Sequence, residues 1–210
     1  MATDLILVCH GQSAQRQGEK VLGWWADVSL SPTGFRQALL LAERLRNEFD
    51  VDALYTSPLR RAQETAEVVG QRVKAVPEVE PGLRELDSGA LAGLSYEEAR
   101  QRYPELIVQG RVSADERLPG GESYADLHLR SDRTLSRILK QHPDCQVVAV
   151  THGGPIISYL RAFLGYTYET AVKPRFVCDA ASIHHLRVGR EGEKTVVRLN
   201  DTSHLAGMPK

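Results

Sequence analysis

The sequence predicts an α/β fold, a three-layer sandwich with a mainly parallel central sheet, helices on both faces and a small cap insertion. Two apolar runs, Leu5-Ile6-Leu7-Val8 and Val147-Val148-Ala149-Val150, each end close to a His-Gly pair, His10-Gly11 and His152-Gly153. Ser31-Pro32 and Ser57-Pro58 follow strand candidates as helix starts, which gives the strand–helix alternation of βαβ units. That rhythm breaks once, over residues 77–121, where prolines and glycines cluster.

Residues 4–9 read as a short, fully buried strand. Ser31 is expected to cap the next helix with Pro32 at its first position. Leu39, Leu40, Ala42 and Leu45 are expected on its apolar face, with Arg36, Glu43 and Arg46 towards solvent. A strand at 52–56 precedes the Ser57-Pro58 helix start. Within residues 77–121, Ser95 to Arg100 read as a short capped helix, so the segment is taken as a cap over the carboxyl edge of the sheet. A helix over 122–141 leads back to the strand that ends at His152, and Pro155 starts another. Residues 181–187 and 194–200, around Gly189 to Gly192, read as a hairpin that completes the sheet. Its adjacent histidines, His184 and His185, point to opposite faces and take structural or surface roles. Residues 206–210 read as a tail.

The 210 residues fit one domain, 42% hydrophobic and 25% charged, as expected of a folded globular chain. A formal net charge of −1 gives no electrostatic case for nucleic acid or an anionic membrane as partner. Cys9, Cys145 and Cys178 are odd in number and widely spaced, which suggests neither a disulfide framework nor a metal site. Cys145 and Cys178 are read as core residues. A reducing compartment follows, and with no signal-like segment the chain is expected to be cytoplasmic. At least one of Trp24 and Trp25 is expected in the core. A homodimer is left open.

Ligands of open α/β sheets bind outside the carboxyl ends of the strands, so two histidines at two such ends can converge on one site. Arg60 and Arg61 lie in the first turn of a helix at a third strand end, where a helix N-terminus favours an anion. Either arginine alone reads equally well as phosphate-binding or solvated.

Taken together, the motifs resemble the histidine phosphatase superfamily, the phosphoglycerate-mutase-like fold. The resemblance rests on Cys9 to Ser13, Gly23 to Gly34, Ser57 to Ala66, Leu83-Arg84-Glu85, Pro119 to Ser123 and Val150 to Gly153, in family order. It implies that His10 is the nucleophile that becomes a phosphohistidine, and that His152 binds the transferring group. It implies Arg61 as phosphate ligand, Glu85 as the acid that protonates the leaving oxygen, and Gly11, Gln12 and Gly153 in substrate binding. No cofactor or metal is implied, and the expected partner is a small phosphorylated molecule. A phosphatase is favoured over a mutase, because the longer basic segments of phosphoglycerate mutases are not found.

Three positions depart from the family pattern. Cys9 stands where the family has an arginine directly before the nucleophile. Arg16 stands where asparagine is usual, and is assigned to substrate binding as a replacement for that lost charge; an exposed loop arginine is the other reading. Leu91-Ala92-Gly93 stands in the region of a Trp-Glu-Gly segment, making the cap more apolar. With Cys9 in place, two alternatives to a phosphatase stay open: a ligand-binding protein without turnover, and a site recruited for other chemistry.

Overall fold

In the computed structural model, which describes residues 2–14, 27–108, 111–112, 117–170 and 174–208, strand β1 spans Thr3–Cys9 and is buried along its length. Helix α1 (Pro32–Glu48), β2 (Ala53–Thr56), α2 (Arg60–Val73) and β3 (Glu78–Val79) follow. Next come α3 (Tyr96–Arg102), a small hairpin of β4 (Ile107–Val108) and β5 (Arg111–Val112), and α4 (Tyr124–Gln141). Then β6 (Gln146–Thr151), α5 (Gly153–Phe163), β7 (Ile183–Val188) and β8 (Lys194–Asp201) complete the chain of elements. Arg16, Trp24, Trp25, Gly23 and the last two residues of the expected tail lie outside the described residues.

The main sheet has the order β3-β2-β6-β1-β7-β8. Its first four strands are parallel, and β7 runs antiparallel to both β1 and β8. In register, Cys9 lies opposite Thr151, so His10 and His152 leave adjacent strands side by side. Alternate β1 side chains enter opposite cores. Leu5 and Leu7 join Leu135, Ile138, Ile156 and Leu160 of α4 and α5 on one face. Ile6 and Val8 join Leu41, Leu45, Ala62 and Val69 of α1 and α2 on the other. This is the predicted sandwich. Among the described residues, no helix is long and apolar enough to cross a membrane.

The α1 start is as read: the Ser31 hydroxyl accepts from the Gly34 N–H with Pro32 in the first turn. Its apolar face is rotated from the expectation. Gly34, Ala38, Leu41, Ala42 and Leu45 are buried, whereas Leu39 and Leu40 are 46% and 39% exposed. Gly34 sets the phase, because a Cβ there would stand 2.0 Å from the Gln12 carbonyl oxygen. The leucine run could supply either face; the backbone contact chooses one.

Ser57-Pro58 is not the cap of α2, which starts two residues later at an N-cap Leu59 that gives no side-chain bond. The segment read as a cap over 77–121 begins inside the main sheet, where Glu78–Val79 pairs with β2. Beyond it, Leu86, Leu91, Ala99, Leu106, Leu118 and Leu127 form a separate small core. The Ser95 capping box is present. Two stretches of this region meet backbone to backbone: Ala90 N–H donates to Pro119 O at 2.8 Å, and Glu122 N–H to Asp87 O at 2.8 Å. A Cβ on Gly121 would stand 2.3 Å from the Asp87 oxygen, so only glycine fits that crossing. Both hairpin histidines are buried in structural roles. His185 pairs with Asp4 at 2.6 Å, and His184 meets Ser182 at 3.2 Å. Cys145 and Cys178 are half-buried rather than core residues, because both lie in loops at strand ends.

Candidate active site

The end of β1 fixes the tautomer of His10 from both sides. Its Nδ1 lies 2.6 Å from the Gly11 carbonyl oxygen, which can only accept, so Nδ1 carries the proton. The Arg61 Nε–H donates to Nε2 at 3.0 Å, so Nε2 carries a lone pair. Burial, with the Arg61 charge added, lowers the His10 pKa to about 4. The ring is therefore neutral at physiological pH.

His152 caps the start of α5, fully buried, with its ring centroid 5.0 Å from that of His10 in an edge-on arrangement. Burial holds its pKa well below that of a free imidazole. Its Nε2 lies 2.8 Å from the Ser57 hydroxyl oxygen, which also accepts the Leu59 N–H at 3.2 Å. Its Nδ1 is buried without a partner. A buried polar atom left unpaired costs free energy that a ligand at the site can recover.

Arg61 reaches the site from the first turn of α2 and is 2% exposed. Arg60 turns outward to an ion pair with Glu64 at 3.0 Å, so the buried arginine is Arg61, the one that the family resemblance singles out. The anion expected at this helix end is supplied internally, since Asp27 accepts the Arg60 N–H at 2.6 Å. Thr65 ties the helix to β1, accepting the Gly11 N–H at 3.1 Å and donating to the Arg61 carbonyl at 2.7 Å.

Glu85 enters from the segment after β3. Its carboxylate accepts the Leu86 N–H at 2.8 Å and the Gly154 N–H, in the first turn of α5, at 3.2 Å. Burial nevertheless raises its pKa above the ordinary carboxylate value, the two N–H bonds and Arg61 opposing the rise. Arg130 of α4 fastens this segment. It donates to the carbonyls of Gly82 and Arg84 at 2.8 Å each and of Glu85 at 3.3 Å, and pairs with Glu122 at 2.7 Å.

His10, Arg61, Glu85 and His152 are thus brought together from three strand ends and one loop. Gly11 and Gln12 are engaged by the protein itself. The Gly11 N–H is held by Thr65, and the Gln12 N–H donates to the Gln37 side chain at 2.8 Å. A Cβ on Gly11 would stand 2.5 Å from the Gly34 oxygen, so this glycine lets β1 close onto α1. Gly153 follows His152 at the start of α5, next to Cys178. Arg16 lies outside the described residues. Ser57, Thr65, Arg130 and Cys178 escaped the sequence reading. Ser57 and Thr65 both stand in the Ser57 to Ala66 motif, Ser57 as a helix start and Thr65 without a role of its own, while Arg130 and Cys178 depend on long-range contacts with no local signature. Among the described residues, no group of three or more His, Cys, Asp or Glu side chains is arranged to hold a metal ion.

Known proteins resemble the chain over nearly its whole length. The sequence model described as "Histidine phosphatase superfamily (branch 1)" matches residues 5–202. A metal-independent phosphoserine phosphatase of Arabidopsis thaliana is 30% identical over 98% of this chain and 84% of its own length. Phosphoserine phosphatase 1 of Hydrogenobacter thermophilus is 32% identical over 96% of this chain and 93% of its own. Among solved structures, a mycobacterial glucosyl-3-phosphoglycerate phosphatase superposes with a TM-score of 0.79 at 27% identity, covering 95% of this chain and 99% of that one.

Proposed function

The chain belongs to branch 1 of the histidine phosphatase superfamily, and from that membership we propose that it hydrolyses a small phosphomonoester, without a metal, through a phosphohistidine on His10. The observation that carries the assignment of His10 is its doubly fixed tautomer, Nδ1–H on the Gly11 carbonyl and the Nε2 lone pair facing Arg61. A nucleophilic imidazole needs that state, and here the backbone imposes it before substrate arrives.

Substrate binding requires Arg61 to exchange the His10 nitrogen for phosphoryl oxygens, which a guanidinium fork binds in pairs. With Ser57 donating to Nε2 of His152, the Nδ1–H of His152 is the donor offered to a third oxygen. His10 Nε2 attacks phosphorus, the ester P–O bond breaks, and the leaving oxygen takes the proton of Glu85. In the second half, Glu85 accepts a proton from water as the water oxygen attacks phosphorus. The P–N bond breaks, its electron pair returns to Nε2, and phosphate is freed. The raised pKa of Glu85 suits a group that must first donate. In this reading residues 77–121 supply the cap, since they carry Glu85 into the site. Gly153 and Gln12 stand at the substrate in this reading, Gln12 with its Oε1 accepting from the Ser31 hydroxyl at 2.8 Å, and Gly11 acts by fixing His10.

The test is phosphate release from a panel of phosphomonoesters, phosphoserine and 3-phosphoglycerate included, in the presence of a chelator. Turnover that is lost in His10→Ala, with acid-labile label trapped on His10, is expected. Label on another residue, or turnover surviving in His10→Ala, overturns the assignment.

A further inference from the structure

Cys9 is fastened to a second thiol by the backbone around it. The Cys9 N–H donates to Ser182 O at 3.1 Å, and the Ala181 N–H to His10 O at 3.0 Å, as β7 begins. A turn then folds the preceding residues back: Ser182 N–H donates to Asp179 O at 3.1 Å, and Ala181 sits at φ 57°. Cys178 is thereby packed against the core that contains Cys9, and the two thiols bias each other's ionisation.

The two sulfurs are not equivalent. Cys9 is 5% exposed, while Cys178 is only partly buried. The Asn200 N–H donates to Nδ1 of His184 at 3.2 Å, so the neutral ring carries its proton on Nε2. That proton is aimed at the Ser182 hydroxyl, 3.2 Å away, and at the Cys178 sulfur beyond it; Cys178 Sγ lies 3.8 Å from the same hydroxyl. Donors therefore converge on Cys178 from Cys9, His184 and Ser182. They pull its pKa down to about 5, the Cys9 thiol contributing most, and Cys9 is correspondingly pushed up. The Cys178 sulfur also stands 3.9 Å from where a Cβ on Gly153 would lie, beside His152.

We propose that Cys9 and Cys178 form a reversible disulfide in response to hydroperoxides and that its formation switches the neighbouring site off. The Cys178 thiolate attacks a peroxide oxygen, the O–O bond breaks, and the released hydroxide or alkoxide takes up a proton, leaving Cys178 as the sulfenic acid. The Cys9 sulfur then attacks the Cys178 sulfur and gives its proton to the departing hydroxide, so water leaves and the S–S bond forms. Two thiols are oxidised and one peroxide is reduced. The bond requires an S–S distance of about 2.05 Å, so the sulfurs must close from non-bonded contact by about an ångström or more. His10 follows Cys9 directly, and a displacement of about 1 Å in a reacting group costs on the order of a hundredfold in rate. Cys145 lies at the opposite end of β6 from His152, and it donates to the Pro143 carbonyl at 3.4 Å. It serves as an internal control.

The loss of activity rests on the phosphatase reading; the cross-link does not. The experiment titrates the reduced full-length protein with hydrogen peroxide, then applies non-reducing peptide mapping and phosphatase assay to the same aliquots. The expected result is a Cys9–Cys178 linked peptide and an activity loss of at least about tenfold in step with it, both reversed by dithiothreitol. Cys178→Ser is expected to form no link and to keep its own starting activity through the titration. Oxidation of Cys178 to sulfinic acid with Cys9 still reduced, or a link to Cys145 instead, overturns the pair. A Cys9–Cys178 link that leaves turnover unchanged overturns the switch. Should the reduced protein hydrolyse no ester at all, the mapping still decides the pair while the phosphatase reading falls separately.

Discussion

Replacing Gly154 by alanine separates the proposed proton-donating role of Glu85 from everything else in the site. A Cβ at Gly154 would stand 2.0 Å from Glu85 Oε1 and 3.2 Å from a methyl group of Leu127. Since such contacts below 3.0 Å do not persist, the carboxylate must retreat by at least 1.0 Å and give up its 3.2 Å bond from the Gly154 N–H. The carboxylate is the end of a flexible side chain, so the fold can absorb the change. Gly154 lies within α5 with an ordinary φ, where alanine is favoured over glycine by about 0.5–1 kcal/mol. A misplacement of about 1 Å in a catalytic group costs on the order of a hundredfold, so kcat towards alkyl phosphomonoesters should fall by about that factor. Turnover of 4-nitrophenyl phosphate should fall far less, because its phenolate leaves without a proton. The assay compares the two substrate classes in wild type and Gly154→Ala, with thermal melting alongside. Equal losses on both substrates, or no loss on the alkyl ester, would refute the argument that Glu85 is held in place by this glycine to protonate the leaving group.

Arg61→Ala should cost about 2–5 kcal/mol of transition-state binding, at least about thirtyfold in kcat/KM, because a buried charge-assisted contact to phosphate is removed; steady-state kinetics checks it. The pH profile of kcat/KM should show an acid limb near about 4, where His10 must lose its proton, and an alkaline limb above the ordinary carboxylate range, where Glu85 loses its own. Arg130→Met should lower kcat on alkyl esters and move the alkaline limb, since it frees the carbonyls of residues 82–85; a purely structural role for Arg130 would leave that limb in place. Stability should fall with acid. His10 is kept neutral in the fold but protonates on unfolding near about 6.5, so its contribution is complete above that pH. It is lost as pH drops towards the folded value of about 4, by up to about 1.4 kcal/mol per pH unit. Melting curves between pH 7.5 and 4.5 should therefore show a shallower dependence in His10→Ala.

The strands that carry chemistry were legible because each is a short apolar run followed by a recognisable residue: β1 ends at Cys9 as expected, and β6 ends one residue before His152. Positions decided by backbone contact were not legible. Leu39, Leu40 and Leu41 are chemically alike, and only the fit of Gly34 against Gln12 tells which of them is buried. Ser57-Pro58 and Ser31-Pro32 look the same in sequence, yet one serine caps a helix and the other holds a histidine. Cys178 looks like a core filler until the turn at Asp179 to Ser182 places it beside Cys9.

The same distinction explains how the site sets its protonation states. His10 is kept neutral by burial and by the Arg61 charge, while the Gly11 carbonyl fixes which nitrogen carries its proton; burial raises the Glu85 pKa against the pull of two backbone N–H bonds. In the proposed mechanism the Arg61 bond to His10 Nε2 must break for phosphate to be gripped. That exchange releases the nucleophile's lone pair at the moment the electrophile arrives. With both histidines neutral and the Glu85 pKa raised by burial, Arg61 is the cation that these four groups offer to an incoming dianion. The dianion in turn raises the pKa of Glu85 further, because a second negative charge beside it is disfavoured. Substrate binding thus favours the protonated acid needed to expel the leaving group, and departure of the neutral alcohol leaves a carboxylate ready to receive the proton of water.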